Sequence, residues 1–250
     1  MKALILAAGY GTRLYPLTKN MPKPLLTVGK QPMINHLVQK LTSLEGLTEI
    51  VVITNDKFFA TFKDWQAQND AALTKIPINI VNDGTTSPED RLGAIGDIYF
   101  AIKEKHIAED TLVIGGDNIF DFELNEFVQF AQSVRPRKSI GLVDIQKIAD
   151  AQRFGVVALD ADKKIISFEE KPREPKSSLV AMCLYYLPQE GLALISEYIE
   201  KCAKNHSEKD TSGTYIKWLY KKEDVFGFVF QGRWYDIGHI ESYNEVQNYF

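Results

Sequence analysis

The sequence predicts an α/β fold with a mixed, mostly parallel central sheet flanked by helices. Short apolar runs such as residues 4–8 and 49–54 have the length and composition of buried parallel strands. Segments with apolar residues at helical spacing lie between these runs, and this alternation is typical of a parallel sheet. The 250 residues, 45% of them hydrophobic, are enough for one such domain with an ample core.

The same patterns place the other elements in order along the chain. Strands are predicted over residues 4–8, 49–54, 76–81, 111–114, 140–143, 153–157, 165–168, 180–187 and 225–230. Helices are predicted over residues 34–44, 58–65, 95–102, 124–131, 192–202, 214–220 and 240–246. Residues 160–163 form a hairpin turn, and the polar segment 204–212 is expected to be mobile.

Composition argues against several classes of protein. The net charge of −4, without a cluster of lysines and arginines, argues against a nucleic-acid partner. Only Cys183 and Cys202 are present, so a disulfide framework and a thiolate zinc site are unsupported, and Cys183 is expected to be a core thiol. We find no signal peptide and no apolar run of membrane-spanning length, and we expect a cytoplasmic protein without a membrane partner.

The first predicted strand leads into a glycine loop at Gly9 and Gly11. Such a loop lets phosphate approach backbone N–H groups. Leu14 stands where a dinucleotide fingerprint needs a third glycine, and the Gly-Lys-Ser/Thr of a P-loop is absent. Arg13 and Lys23 supply two cations, which suit a polyphosphate better than a single phosphate. The alternative is a plain glycine turn with two solvated cations.

A longer motif carries a resemblance to a known family. Gly9-x-Gly11-Thr12-Arg13-Leu14-x-Pro16-Leu17-Thr18, followed by Pro22-Lys23-Pro24-Leu25, resembles the signature loop of the sugar-1-phosphate nucleotidyltransferases, in particular the glucose-1-phosphate thymidylyltransferases. Further matching motifs lie at residues 92–94, 115–118, 153–155, 169–172 and 234–238. The resemblance implies a Rossmann-like fold of nucleotide-diphospho-sugar transferase type. It also implies one domain over residues 1–250, with a nucleotide-binding half over about 1–120 and a sugar-phosphate-binding half over about 121–250.

The resemblance implies the nucleotide-binding residues Leu6, Ala8, Gly9, Gly11, Thr12, Arg13, Leu92, Gly93 and Asp117. The polar loop 82–96 would approach the base. Thymidylyltransferases carry Gln-x-x-x-Gly-Leu-Ala there, and this chain lacks the glutamine. Asp83 and Thr85 are therefore predicted to contact the nucleotide, with Arg91 as a further candidate. The alternative is an ordinary surface loop.

Two carboxylates are candidates for a metal site. Asp117 follows a predicted strand within Gly115-Gly116-Asp117-Asn118, and Asp236 lies within Trp234-x-Asp236-x-Gly238. Oxygen ligands beside a phosphate site suit Mg²⁺. An Asx turn is the alternative at Asp117 when the residues are taken alone. The resemblance implies a Mg²⁺ cofactor held by Asp117 and Asp236.

The second half of the chain carries the motifs for the sugar phosphate. In the family, Lys171 of Glu169-Glu170-Lys171-Pro172 would contact the phosphate, and Glu170 a sugar hydroxyl. Phe154 and Gly155 resemble the pair whose backbone meets the sugar, and Asn118 is assigned to the same substrate. Without the family, a solvated strand end is an equal alternative for residues 169–171.

The resemblance implies an enzyme that transfers a nucleotidyl group from a nucleoside triphosphate, with dTTP or UTP favoured, to a sugar 1-phosphate. Glucose 1-phosphate is the first choice of acceptor. Arg13 would stabilise the leaving pyrophosphate, and Lys23 the α-phosphate. One alternative is a cytidylyltransferase acting on a sugar phosphate or a phosphocholine-like acceptor, and another is a non-catalytic nucleotide sensor. A homo-oligomer is an option, since the family often forms dimers or tetramers. No acyltransferase activity is expected, because no left-handed β-helix follows the domain.

Overall fold

A nine-stranded sheet forms the centre of the computed structural model, which describes residues 1–202 and 211–250. Residues 204–210 of the segment expected to be mobile lie outside the described residues. The strands are β1 (Lys2–Leu6), β2 (Thr27–Val28), β3 (Gln31–Pro32), β4 (Glu49–Thr54), β5 (Ile78–Asn82), β6 (Thr111–Gly115), β7 (Asn118–Phe120), β8 (Lys138–Asp144), β9 (Gly155–Leu159), β10 (Ile165–Glu170), β11 (Leu179–Leu187), β12 (Val225–Phe230) and β13 (Trp234–Asp236). The α-helices are α1 (Met33–Thr42), α2 (Asp56–Leu73), α3 (Ala94–Glu104), α4 (Asn125–Ser133), α5 (Ala193–Lys201), α6 (Ser212–Lys222) and α7 (Ile240–Val246).

The strand order places β1 in the interior of the sheet. Along the main path the order is β10-β9-β11-β6-β1-β4-β5, and β8 pairs with β11 and β12. β1 is parallel to β4 on one side and to β6 on the other, whereas β11 is antiparallel to its three neighbours. Within this sheet, the chain proceeds from β1 to β4 and β5 on one side and then returns to β6 on the other side of β1. The carboxyl end of β1 is thus a topological switch point, where open α/β sheets bind ligands.

The core lies in two layers, one on each face of the sheet. Ala3 and Ile5 of β1 pack with the apolar faces of α1, α2 and α4. Leu4, which lies between them in the strand, packs with α3, α5 and α6. Side chains alternate across a strand, so an uninterrupted apolar run such as this one is buried on both faces. This arrangement confirms the predicted mixed sheet flanked by helices.

Most element boundaries differ slightly from the predictions. The first strand ends at Leu6 rather than at residue 8, and the third begins at Ile78 rather than at residue 76. Pro77 precedes this strand and has no N–H to donate to the ladder. The short strands β2, β3, β7 and β13 were not predicted, since two or three residues are too few for a recognisable pattern. None of the helices within the described ranges is both long and apolar enough to cross a bilayer.

Candidate active site

A cavity of about 910 Å³ lies at the carboxyl ends of β1 and β6. Residues from both predicted halves of the chain line it. The predicted site residues in its wall are Leu6, Ala8, Gly9, Gly11, Thr12, Arg13, Lys23, Gly93, Asp117, Asn118, Phe154, Gly155, Glu170, Lys171 and Asp236. The fold therefore brings most of the predicted constellation to one cavity.

The glycine loop after β1 has a defined backbone conformation. Gly11 has φ of +63°, a left-handed value that favours glycine, and its carbonyl accepts a hydrogen bond from Thr18 Oγ1 at 2.7 Å. Arg13 lies in the short 3₁₀ turn Thr12–Leu14, which the buried Leu14 anchors in the core. The guanidinium of Arg13 is left exposed at the cavity.

Lys23 approaches the site from a second loop. It begins the 3₁₀ turn Lys23–Leu25, and only 8% of the residue is exposed. Its Nζ lies 2.6 Å from Oδ2 of Asp117. The loop that carries Asp117 packs closely against the end of β1, since a Cβ on Gly116 would lie 2.8 Å from the Leu6 carbonyl oxygen. Only glycine fits there without displacing the backbone.

The small β7–β13 sheet brings Asp117 and Asp236 together. Asp236 lies opposite Asn118 in the antiparallel register, and Ile237 N–H donates to the Asp117 carbonyl at 3.4 Å. A Cβ on Gly238 would lie 3.2 Å from Asp236 Oδ2. Residues 119 positions apart in the chain therefore place their carboxyl groups on the same wall of the cavity.

The electrostatics of this pair fit a divalent cation. Burial raises the pKa of Asp236, and the charge of Asp117 raises it further, while Lys23 and Arg13 act in the opposite direction. Two neighbouring carboxylates in a partly dry site are stabilised by a bound cation, and oxygen ligands suit Mg²⁺. Within residues 1–202 and 211–250, no group of three metal-ligating side chains occurs. The protein would thus supply two carboxylates, and ligand phosphates or water would complete the coordination.

Asn118 has a positioning role in this geometry. Its Oδ1 accepts a hydrogen bond from Trp234 Nε1 at 2.6 Å, and its Nδ2 donates to the Gly115 carbonyl at 3.0 Å. The Trp234 ring packs against Phe154, with ring centroids 5.1 Å apart. These contacts fix the loop that carries Asp117 to the strand that carries Asp236.

The opposite end of the cavity contains Glu170 and Lys171. Glu170 ends β10 opposite Gly155 of β9. Lys171 has φ of +45°, and its N–H donates to the Phe154 carbonyl at 3.0 Å, which fixes this unfavourable conformation. Burial raises the pKa of Glu170, and Lys171, with Nζ 3.8 Å from Glu170 Oε1, opposes that rise.

A family model described as "Nucleotidyl transferase" matches residues 2–250. The chain belongs to the nucleotidyl transferase family. A relative from Methanocaldococcus jannaschii, the bifunctional protein GlmU, is 30% identical over 250 residues, which are all of this chain and 54% of the relative. A glucose-1-phosphate adenylyltransferase from Fervidobacterium nodosum is 29% identical over 253 residues, covering 97% of this chain and 59% of the relative. The chain spans between 51% and 64% of the length of such curated relatives.

Solved structures agree with this membership. A Bacillus anthracis chain assigned as a glucose-1-phosphate thymidylyltransferase, in complex with sucrose, is 28% identical. It has a TM-score of 0.80, and the match covers 100% of this chain and 94% of that one. A UDP-glucose pyrophosphorylase complexed with UDP-glucose has a TM-score of 0.82 at 20% identity, covering 99% and 97% of the two chains, and supports the fold. The predicted family and its fold type are confirmed, while the names of the relatives refer to different nucleotides.

Three residues predicted to bind nucleotide do not line the cavity of this nucleotidyl transferase: Asp83, Thr85 and Leu92. Asp83 Oδ1 accepts hydrogen bonds from both the N–H and the hydroxyl of Thr85, each at 2.7 Å. Both residues are buried behind Tyr10, whose hydroxyl lies 3.4 Å from Thr85 Oγ1. Arg91 and Gly93, on either side of Leu92, are in the wall. Asp83 and Thr85 are thus placed to support Tyr10 and the loop.

Several residues that line the cavity of this family member were not predicted from the sequence. Cys183, which was expected to be a core thiol, packs against the core and is also partly exposed at the cavity, which it lines with Tyr185 and Ser212. Burial raises the pKa of the Cys183 thiol to about 12, so the neutral thiol is the form present. Residues two apart on a strand share a face, so the sequence of β11 already indicated that Cys183 and Tyr185 lie on the same side of the sheet. Arg153 and His239 also line the cavity, and no pattern in the local sequence indicated this position for them.

Proposed function

We propose that this chain is a sugar-1-phosphate nucleotidyltransferase that transfers a nucleotidyl group from dTTP or UTP to glucose 1-phosphate, releasing pyrophosphate. One observation carries the proposal. Asp117, Asp236 and Lys23 meet at one end of a cavity whose other end presents Lys171 and Glu170. This arrangement suits two phosphorylated substrates brought together, with carboxylates and cations at the point where they meet.

The chemistry needs little from the protein beyond positioning and charge neutralisation. A phosphate oxygen of the acceptor attacks the α-phosphorus of the nucleotide in line, a new P–O bond forms, and the bond to pyrophosphate breaks. The attacking oxygen is already ionised near neutral pH, so no general base is required. Arg13 neutralises charge that develops on the pyrophosphate, and Lys23 neutralises charge at the α-phosphate. Lys171 holds the acceptor phosphate against the repulsion of the nucleotide.

In the proposal, Asp117 and Asp236 hold Mg²⁺, which supplies positive charge to the nucleotide phosphates when bound. The oxygen donor set and the raised pKa of Asp236 beside Asp117 support this assignment. The proposal includes a cytoplasmic location, where nucleoside triphosphates and sugar phosphates are available.

The choice of nucleotide rests on likeness. The signature loop and the Bacillus anthracis structure at 28% identity favour dTTP. The Fervidobacterium nodosum relative is an adenylyltransferase, so ATP belongs in any test. The missing glutamine in the loop 82–96 keeps CTP as a second candidate.

The test is pyrophosphate release with Mg²⁺, crossing dTTP, UTP, CTP, GTP and ATP against glucose 1-phosphate, mannose 1-phosphate and phosphocholine. A double variant, Asp117→Asn with Asp236→Asn, serves as a control for contaminating activity. Release with dTTP or UTP and glucose 1-phosphate supports the proposal. Pyrophosphate release with CTP alone would instead identify a cytidylyltransferase. Nucleotide binding without any pyrophosphate release would instead identify a nucleotide sensor.

A further inference from the structure

Arg153 is a cation in the cavity wall to which the proposed mechanism gives no role. It ends the 3₁₀ turn Ile148–Arg153, just before the predicted sugar-contacting pair Phe154 and Gly155. Its side chain is exposed at the cavity. In the described part of the chain, no ion pair includes Arg153. A guanidinium without a carboxylate partner at a site for phosphorylated ligands is available to an anion.

Two aromatic side chains fix the direction of this guanidinium. Nη1 of Arg153 lies 3.0 Å from Nε2 of His239, and its central carbon lies 5.6 Å from the centroid of the Phe154 ring. Because a guanidinium has only donors, Nε2 of His239 is the acceptor. The second ring nitrogen, Nδ1, then carries the ring proton, and it lies 3.2 Å from Oε2 of Glu241, a carboxylate oxygen that accepts it. His239 thus joins Arg153 to the segment that follows Asp236.

These contacts place Arg153 between the two ends of the cavity. His239 is three residues beyond Asp236, and the guanidinium lies within electrostatic reach of that carboxylate. Towards Glu170 and Lys171, the carbonyl of Phe154 accepts a hydrogen bond from the N–H of Lys171. A phosphate that contacts Lys171 and approaches the carboxylate pair therefore passes the Arg153 guanidinium.

We infer that Arg153 binds the phosphate of the phosphorylated acceptor alongside Lys171, and that His239 is a positioning residue which holds Arg153 in place. The inference rests on the proposed function, since it assigns a ligand to the same cavity. Lysine provides a point charge, whereas arginine provides a planar fork that matches two phosphate oxygens. The pair would both neutralise and orient the attacking group. Arg153 makes no contribution to binding the nucleoside triphosphate.

The test compares Arg153→Met and Arg153→Lys with the wild type. Calorimetry with glucose 1-phosphate and Mg²⁺ measures binding, and pyrophosphate release gives separate KM values for acceptor and nucleotide. A hydrogen bond to a charged group contributes about 1.5–3 kcal/mol, so Arg153→Met is expected to weaken acceptor binding roughly tenfold or more. Arg153→Lys recovers part of the loss, and the nucleotide KM stays unchanged. Arg137→Met, a change at an arginine away from the cavity, is the matched control.

Two substitutions of His239 test its positioning role. Gln places an acceptor oxygen near the position of Nε2, whereas the side chain of Asn is too short to reach Arg153. The expected result is a raised acceptor KM for His239→Asn and a nearly normal acceptor KM for His239→Gln, and thermal unfolding checks that both variants are folded. The reverse pattern would overturn the positioning role.

The outcomes distinguish the inference from the proposed function. If the wild type releases pyrophosphate and Arg153→Met binds glucose 1-phosphate normally, the inference is overturned and the proposed function stands. A rise in the nucleotide KM instead of the acceptor KM also overturns it. If no pair of substrates gives pyrophosphate but binding of glucose 1-phosphate depends on Arg153, the phosphate site stands and the proposed function fails. A wild type that does not bind glucose 1-phosphate overturns the inference.

Discussion

Nζ of Lys23 lies 2.6 Å from Oδ2 of Asp117, although 94 residues separate them in the chain. The proposed mechanism assigns these side chains to different tasks, one at the α-phosphate and the other at a metal. In the ligand-free protein each neutralises the other. Lys23 is almost fully buried, and a buried charge is tolerated when it is paired. The ion pair thus holds both side chains in position before substrates bind.

Arg13→Ala is expected to lower turnover by about 10² to 10³, because one charge that stabilises the leaving pyrophosphate is removed. The Tm should stay close to that of the wild type, since the Arg13 side chain is exposed and the buried Leu14 anchors the loop. Pyrophosphate release and thermal unfolding measure the two effects. Arg137→Ala is the control for loss of an exposed arginine. An Arg13→Ala variant with normal turnover would contradict the assignment.

Asp236→Asn is expected to reduce activity by roughly 10² or more and to remove the stabilisation that Mg²⁺ gives to the wild type. Burial and the Asp117 charge raise the pKa of Asp236, so without metal its carboxylate is unfavourable in the fold. The metal-free variant should therefore unfold at the same temperature as the wild type or higher. Thermal unfolding with and without Mg²⁺ checks this. Equal Mg²⁺ stabilisation of both proteins would remove Asp236 from the metal site.

Gly213→Ala is expected to displace Glu170 rather than to unfold α6. A Cβ at this position would lie 1.8 Å from Oε2 of Glu170, which is at the end of a flexible side chain. Replacing glycine in a helix by alanine favours the helix by up to about 1 kcal/mol, so stability should not fall. The KM for the sugar phosphate should rise roughly tenfold, the effect of losing about one hydrogen bond. In a Glu170→Ala background the same change should have little further effect on KM, and an equal rise there would contradict the mechanism.

Glu170 also predicts a pH dependence of stability. Burial is the main cause that raises its pKa. Below the ordinary glutamate pKa of about 4.3, the carboxyl is protonated in both folded and unfolded states. As the pH rises through the raised folded value, the folded state becomes less stable relative to the unfolded state. The Tm of the wild type should fall relative to that of Glu170→Gln between about pH 4 and neutrality, and a constant difference over this window would contradict the burial effect.

Several site residues could be predicted because their chemistry shows in local sequence. Gly11, Arg13 and Lys23 belong to a motif whose spacing is specific, and all three line the cavity. Asp83 and Thr85 were predicted because the family places this polar loop near the base, and in the structure both are buried, with Thr85 donating two hydrogen bonds to Asp83. A polar side chain after a strand can face the ligand or satisfy the backbone, and the local sequence is the same in both cases.

The sequence by itself determined the family, the mixed sheet flanked by helices and the candidate phosphate-binding groups, since apolar periodicity and a long motif are local properties. The tertiary structure alone decided which distant groups meet. It paired Asp117 with Lys23 and linked Arg153 to His239. These contacts depend on strand order and on loops from separate segments. Their residues carry no mark of their partners in the sequence, because a contact between distant segments is defined only when the sheet has formed.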